Sequence, residues 1–99
     1  MTRWNPAGAI AVVTGASSGI GRCLAHRLAD RGTTVLAVAR RETQLTETVS
    51  SWEATGQGRI LPLVGDITDP ETHFNIKNQL HLLSENHRLD LLINNAGVD

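Results

Sequence analysis

The sequence predicts an α/β fold, an open, doubly wound parallel sheet with the element order β-α-β-α-β-α-β. Three observations carry that expectation. Short, nearly all-apolar runs alternate with amphipathic stretches, the rhythm of βα units rather than of hairpins. A glycine-rich segment, TGASSGIG at residues 14–21, falls between the first apolar run and the first amphipathic stretch. The third apolar run contains Pro62, and proline has no N–H for a ladder, so this strand belongs at a sheet edge. Right-handed crossovers and the usual doubly wound order give strands 3-2-1-4, which puts strand three at an edge for an independent reason.

The first strand is expected over residues 10–13, apolar enough to be covered on both faces. The first helix starts near Gly19, with Ile20, Cys23, Leu24 and Leu28 at helical spacing as its buried stripe and Gly32 as its left-handed cap. The second strand spans 33–39. A second helix follows with Leu45, Val49 and Trp52 on one face, broken by Gly56 and Gly58. The third strand is Arg59–Val64. Asp69 and Pro70 read as the N-cap and first residue of a third helix whose face is Ile76, Leu80 and Leu83. The fourth strand, 89–93, runs into Asn94, Asn95, Ala96 and Gly97.

Composition bounds the function. The chain has 99 residues, 40% of them hydrophobic and 19% charged, enough for one small folded domain. Nine basic and ten acidic side chains give a net charge of −1. There is no long like-charge block, so neither nucleic acid nor an anionic membrane is expected as a partner. One cysteine, Cys23, rules out an internal disulfide and fits a reducing compartment. Residues 7–13 lead straight into the glycine turn without a cleavage site, and no run is long enough to span a membrane. The expected location is the cytoplasm. His26, His73, His81 and His87 show no metal-ligand spacing, so no metal site is expected. Cys23 and Trp52 are expected in the core, Trp4 mobile or docked on the sheet, and Glu71 and Glu85 on solvated helix surface.

Gly15, Gly19 and Gly21 between a strand and a helix suit a pyrophosphate. Glycine allows a sharp turn and close approach of the backbone, and the helix N-terminus offers N–H groups and a positive dipole end. Ser17 and Ser18 add hydroxyl donors. Residues 15–19 also match the G-x-S-x-G nucleophile elbow, but that elbow needs an upstream oxyanion loop and a downstream triad, and only fourteen residues precede Gly15. A P-loop needs a Lys-Ser or Lys-Thr after the glycines, which is absent. A glycine-rich cap without a ligand is the plainest alternative. About twenty residues beyond the glycines, where an NAD site usually has an acid for the ribose, stand Arg40 and Arg41. A guanidinium fork there suits a 2′-phosphate and stacking on adenine, so the expected cofactor is NADP rather than NAD.

With these motifs in place the sequence resembles the short-chain dehydrogenase/reductase family. Residues 14–21 match the family's Thr-Gly-x-x-x-Gly-x-Gly at every fixed position, Asn94 to Gly97 match its Asn-Asn-Ala-Gly after strand four, and Asp66 matches the acid ending strand three. The resemblance covers nearly the whole chain and implies a Rossmann-type sheet. It implies that residues 1–99 are the NADP-binding N-terminal part of such a domain. Gly15, Ser17, Ser18, Gly19, Ile20 and Gly21 would line the pyrophosphate and ribose. Arg40, helped by Arg41, would bind the 2′-phosphate; some NADP-preferring members have a second basic residue where this chain has Ser18. Asp66 would accept from the adenine amino group with the Ile67 backbone assisting. Asn94, Ala96 and Gly97 would approach the ribose, and Asn95 would tie neighbouring strands. Taken by themselves, Asp66 also reads as a capped turn and the asparagines as a polar strand end.

The family's catalytic serine and its Tyr-x-x-x-Lys motif lie beyond strand four. This chain contains no tyrosine, and its one lysine is Lys77 on the third helix. Hydride transfer to a carbonyl needs a proton donor beside the developing alkoxide. No catalytic residue is therefore assigned. The expectation is the cofactor-binding part of an oxidoreductase acting between NADP(H) and a small alcohol or carbonyl substrate, inactive as the isolated chain. The alternatives are a stand-alone dinucleotide-binding or interaction module and a truncated gene product. The fourth strand is also expected to present an edge at Leu91, Leu92 and Ile93 through which copies could associate.

Overall fold

The structure, a computed structural model, describes residues 5–54, 57–84 and 89–95. The expectations for Trp4, Gly56, Glu85, His87, Ala96 and Gly97 lie outside the described residues. The element order is β1 (Ile10–Thr14), α1 (Gly19–Asp30), β2 (Thr34–Ala39), α2 (Glu42–Ser50), β3 (Arg59–Val64), α3 (Pro70–Leu83) and β4 (Leu91–Ile93). All pairings are parallel and the strand order is β3-β2-β1-β4, as the sequence predicts.

The two central strands are apolar on both faces because both are covered. Ala11, Val13, Val35 and Ala37 point to one side, where Ala25, Leu28 and Ala29 of α1 and Leu45 of α2 meet them. Val12, Leu36 and Val38 point to the other, where Leu80 of α3 packs with the half-buried Ile76 and Leu83. Trp52 lies just past α2, packs on the first of these clusters and donates its indole N–H to Asp30 Oδ1 at 2.7 Å. Helix α3 begins as expected, with Asp69 accepting from the Glu71 amide at 3.0 Å and Pro70 in the first turn.

Helix α1 ends in a left-handed cap. Gly32 has φ +94°, its N–H bonds Ala29 O at 3.0 Å, and the Thr33 N–H bonds Leu28 O at 3.1 Å. That pair of bonds is a Schellman motif, which only glycine enters without strain.

The expected buried stripe of α1 is wrong at two positions. Ile20 is 69% exposed and Cys23 is exposed, so Cys23 is not core; it accepts a weak bond from Arg27 Nε. The face against the sheet is Gly21, Ala25, Leu28 and Ala29. Small residues at every fourth position let the helix axis approach the strands closely, and this outweighs the burial that Ile20 and Cys23 would gain. Strand β4 is also two residues shorter than expected. Asp90, one residue before it, uses its carboxylate to accept from Ile10 N at 2.8 Å, and its own amide bonds Ile10 O. A side chain there replaces a ladder bond.

Leu45 is fully buried at the meeting point of α2 with the sheet. Leu45→Ala should lower the unfolding free energy by about 3 kcal/mol, read from the urea midpoint at unchanged slope.

Candidate functional site

The C-terminal ends of β1, β2 and β3 and the end of β4 converge on one rim of the sheet. The turn after β1 departs to one side of the strand order and β4 lies on the other, so the rim at β1 and β4 is a topological switch point, where doubly wound sheets form a crevice.

Three glycines shape the turn after β1, for two different reasons. Gly15 (φ +64°) and Gly19 (φ +57°) are left-handed, a conformation that side chains with a Cβ rarely adopt. Gly21 is required by space: a Cβ there would stand 2.1 Å from Gly15 O and 3.0 Å from Asn95 Nδ2. Ala16 is fully buried and its N–H bonds Val38 O at 3.2 Å, which ties the turn to β2. Ser18 is the N-cap of α1 in extended conformation, but its hydroxyl does not cap the helix. The first turn of α1 carries no acidic residue, whereas those of α2 and α3 carry Glu42 and Glu71. First-turn amides have no intrahelical acceptor and sit at the positive end of the dipole, so this terminus can take an anion. Ser17 is buried; Ser18, Gly19 and Ile20 are exposed around the turn.

Arg40 follows β2 directly and is exposed, as is Arg41, the backbone N-cap of α2. Asp66 lies beyond the end of β3. Its Oδ1 accepts from the Thr68 amide at 2.9 Å and the Thr68 hydroxyl at 2.7 Å. Those two bonds, the backbone one foremost, hold its carboxyl below the usual aspartate range against the opposing effect of desolvation, with the positive charge of Arg40 as a lesser addition. Arg40 and Asp66 follow the neighbouring strands β2 and β3. His73 in the first turn of α3 reaches back to the Ile67 carbonyl and fixes the segment after Asp66.

Asn94 and Asn95 meet the glycine turn through Thr14. The Thr14 hydroxyl is 3.1 Å from Asn94 Oδ1 and 3.3 Å from Ile93 O, and it accepts from the Asn95 amide at 2.9 Å. A cavity of about 200 Å³ opens here, lined by Thr14, Asn94, Ile67, His73, Val12 and Ile76, among others. The rim thus gathers the glycine turn, Arg40, Asp66, Ile67, Asn94 and Asn95. No bond of the Arg41 side chain joins it to the others among the described residues. Thr14 is the residue that sequence reasoning passed over: it was read as part of a motif, and its role as a cross-strand tie depends on β4 being the neighbour of β1. No cluster of metal-ligating side chains occurs among the described residues, and no helix among them is long and apolar enough to cross a membrane.

Comparison with known proteins finds one pattern. The family model described as short chain dehydrogenase matches residues 9–99. Fatty acyl-CoA reductase of Acinetobacter baylyi is 43% identical over 96 residues, which cover 96% of this chain and 31% of that protein. The 11-beta-hydroxysteroid dehydrogenase A of Arachis hypogaea is 38% identical over 96 residues, covering 95% of this chain and 26% of the relative. The crystal structure of L-sorbose reductase from Gluconobacter frateurii, complexed with NADPH and L-sorbose, superposes with a TM-score of 0.79 at 34% identity, covering 93% of this chain and 34% of that one. The chain spans about a third or less of the length of each of these proteins.

Because Asp66 is held below its ordinary pKa in the folded state, it contributes stability above its unfolded value that is lost as pH falls through the folded one. Thr68→Val removes the hydroxyl bond and leaves the amide bond, so the Asp66 carboxyl should titrate at higher pH in that variant, as followed by carbon-detected NMR of the side chain.

Proposed function

The chain belongs to the short-chain dehydrogenase family, and on that premise we propose that residues 1–99 form the cofactor-binding N-terminal part of an oxidoreductase domain that takes NADP(H). The observation that carries the cofactor choice is Arg40 at the end of β2. A carboxylate in that place would accept from the ribose hydroxyls of NAD and repel a 2′-phosphate; a guanidinium does the reverse. Arg40 and Asp66 follow the adjacent strands β2 and β3, so the 2′-phosphate and the adenine would be read side by side. The NADPH complex of the sorbose reductase supports the same choice.

The residues fit such a cofactor. The left-handed Gly15 and Gly19, with Gly21 pressed on Gly15 O, leave backbone where a Cβ would intrude. Gly15, Ser17, Ser18, Gly19, Ile20 and Gly21 would hold the pyrophosphate and adjoining ribose, and exposed Ile20 offers an apolar surface beside them. Arg40 and Arg41 would hold the 2′-phosphate. Asp66 keeps Oδ2 for the adenine amino group while Oδ1 serves Thr68, and Ile67 lines the adjoining cavity. Asn94, with Ala96 and Gly97, would approach the ribose, and Asn95 would brace the glycine turn through Thr14 and Gly21. The bound cofactor supplies or accepts a hydride, against a small alcohol or carbonyl in the full-length form.

These 99 residues contain no tyrosine, and Lys77 is exposed on α3. A tyrosine proton donor of the family's kind is therefore absent from these 99 residues, which supports inactivity of the chain by itself. A second reading, a dinucleotide-binding or interaction module without catalysis, draws on the same composition and on β4. Among the described residues β4 pairs only with β1, and Leu92 is 58% exposed, a surface through which copies could associate.

Arg40→Asp should weaken NADPH binding by at least about tenfold and improve NADH binding, since one charge-assisted contact is replaced by repulsion; equal NADPH affinity in calorimetric titration would refute the cofactor choice. The purified chain should bind NADPH yet reduce none of a panel of aldehydes and ketones, followed as absorbance of the reduced nicotinamide; turnover without a second polypeptide would refute the assignment.

A further inference from the structure

Two side chains outside the rim hold the glycine turn from beneath. Thr48 of α2 is fully buried, and its hydroxyl is 2.9 Å from Ala16 O. Arg22 of α1 donates Nε to the Thr48 hydroxyl at 3.1 Å and a terminal nitrogen to Ser17 O at 2.9 Å. The same nitrogen lies 3.4 Å from Gln44 O and 3.7 Å from the Glu47 carboxylate, so the guanidinium is anchored along α2. Two consecutive carbonyls of the turn, Ala16 O and Ser17 O, thus lie against side chains of α2 and α1, and both side chains also reach Gln44 O, which is 3.2 Å from the Thr48 hydroxyl.

A trans peptide points its N–H opposite to its C=O. With Ala16 O turned toward Thr48, the Ser17 N–H must face away from α2. With Ser17 O turned toward Arg22, the Ser18 N–H faces away likewise. The neighbouring carbonyl, Gly15 O, is packed against Gly21, and the Ala16 N–H is spent on Val38 O. The carbonyls of Gly15, Ala16 and Ser17 are therefore turned toward Gly21, Thr48 and Arg22.

We propose that Arg22 and Thr48 are positioning residues for the pyrophosphate cradle, fixing the outward direction of the Ser17 and Ser18 amides. The inference rests on the cofactor reading above. Neither side chain touches the cofactor in this arrangement. Arginine suits the task because its planar fork presents separate nitrogens in a fixed geometry, Nε to the Thr48 hydroxyl and a terminal nitrogen to Ser17 O, whereas lysine offers its donors from one point on a flexible stem.

The test separates positioning from general support of the fold. NADPH engages the cradle; adenosine 2′-monophosphate carries the adenine and 2′-phosphate but no pyrophosphate. Both are titrated calorimetrically into the wild-type chain and into Thr48→Val, Thr48→Ser and Arg22→Met. Thr48→Val and Arg22→Met should lose about tenfold in NADPH affinity, the scale of one bond to a charged group, and stay within about twofold for the monophosphate. Thr48→Ser, which keeps the hydroxyl, should bind both as the wild type does. Arg22 has a side chain 33% exposed, so Arg22→Met decides the matter if Thr48→Val does not fold. Unchanged NADPH affinity in the variants, or an equal loss for both ligands, overturns the positioning role and leaves the cofactor reading standing. A wild-type chain that binds neither ligand overturns the cofactor reading and this inference with it.

Discussion

At Gly21 helix α1 lies so close to the preceding turn that a single added methyl group would stand 2.1 Å from the Gly15 oxygen. The rest of the architecture is arranged around that contact. Ala25 and Ala29 continue the small face, and a Cβ at Gly58 would stand 1.8 Å from Ala29 O, so the helix is seated flush along its length. A helix held this close has its first turn aimed at the strand ends, and its amides become the inner wall of the rim. The same closeness expels Ile20 and Cys23. The core is tight there because its residues are small, which is why larger apolar side chains nearby face solvent.

Much of the fold was legible because several local signals agree. Gly32 in its left-handed cap, the Asp69–Pro70 start of α3 and Pro62 in an outer strand each dictate a boundary through backbone chemistry that packing does not override. Side-chain size is the poorer guide. The stripe of α1 was drawn through the bulky residues, whereas the strands select the small ones. The start of β4 is expected two residues too early because Leu89 continues the apolar run, and nothing in one sequence reveals that the Asp90 carboxylate takes over the bond to Ile10.

The rim divides in the same way. Gly15, Gly19, Gly21 and Arg40 could be named from spacing because each sits at a fixed place after a strand, and Asp66 from the family resemblance. Thr14, Arg22, Thr48 and His73 could not. Their contacts join segments up to 81 residues apart in sequence or depend on which side of a helix faces its neighbour. The groups that hold the rim in place thus become visible only when the strand order is known.

Pro62 has a consequence for how the sheet can grow. The amides of Arg59 and Gly65 reach inward to Thr33 and Ala39, so by alternation residue 62 presents its backbone nitrogen outward. A ring carbon occupies the place of the donor that an incoming strand would require, and that margin of the sheet is blunted. β4, opposite, has no such stop within Leu91–Ile93. Lengthening of the sheet is thus directional. A further strand, whichever polypeptide supplies it, is steered to the side away from β3, and its register is dictated by three residues.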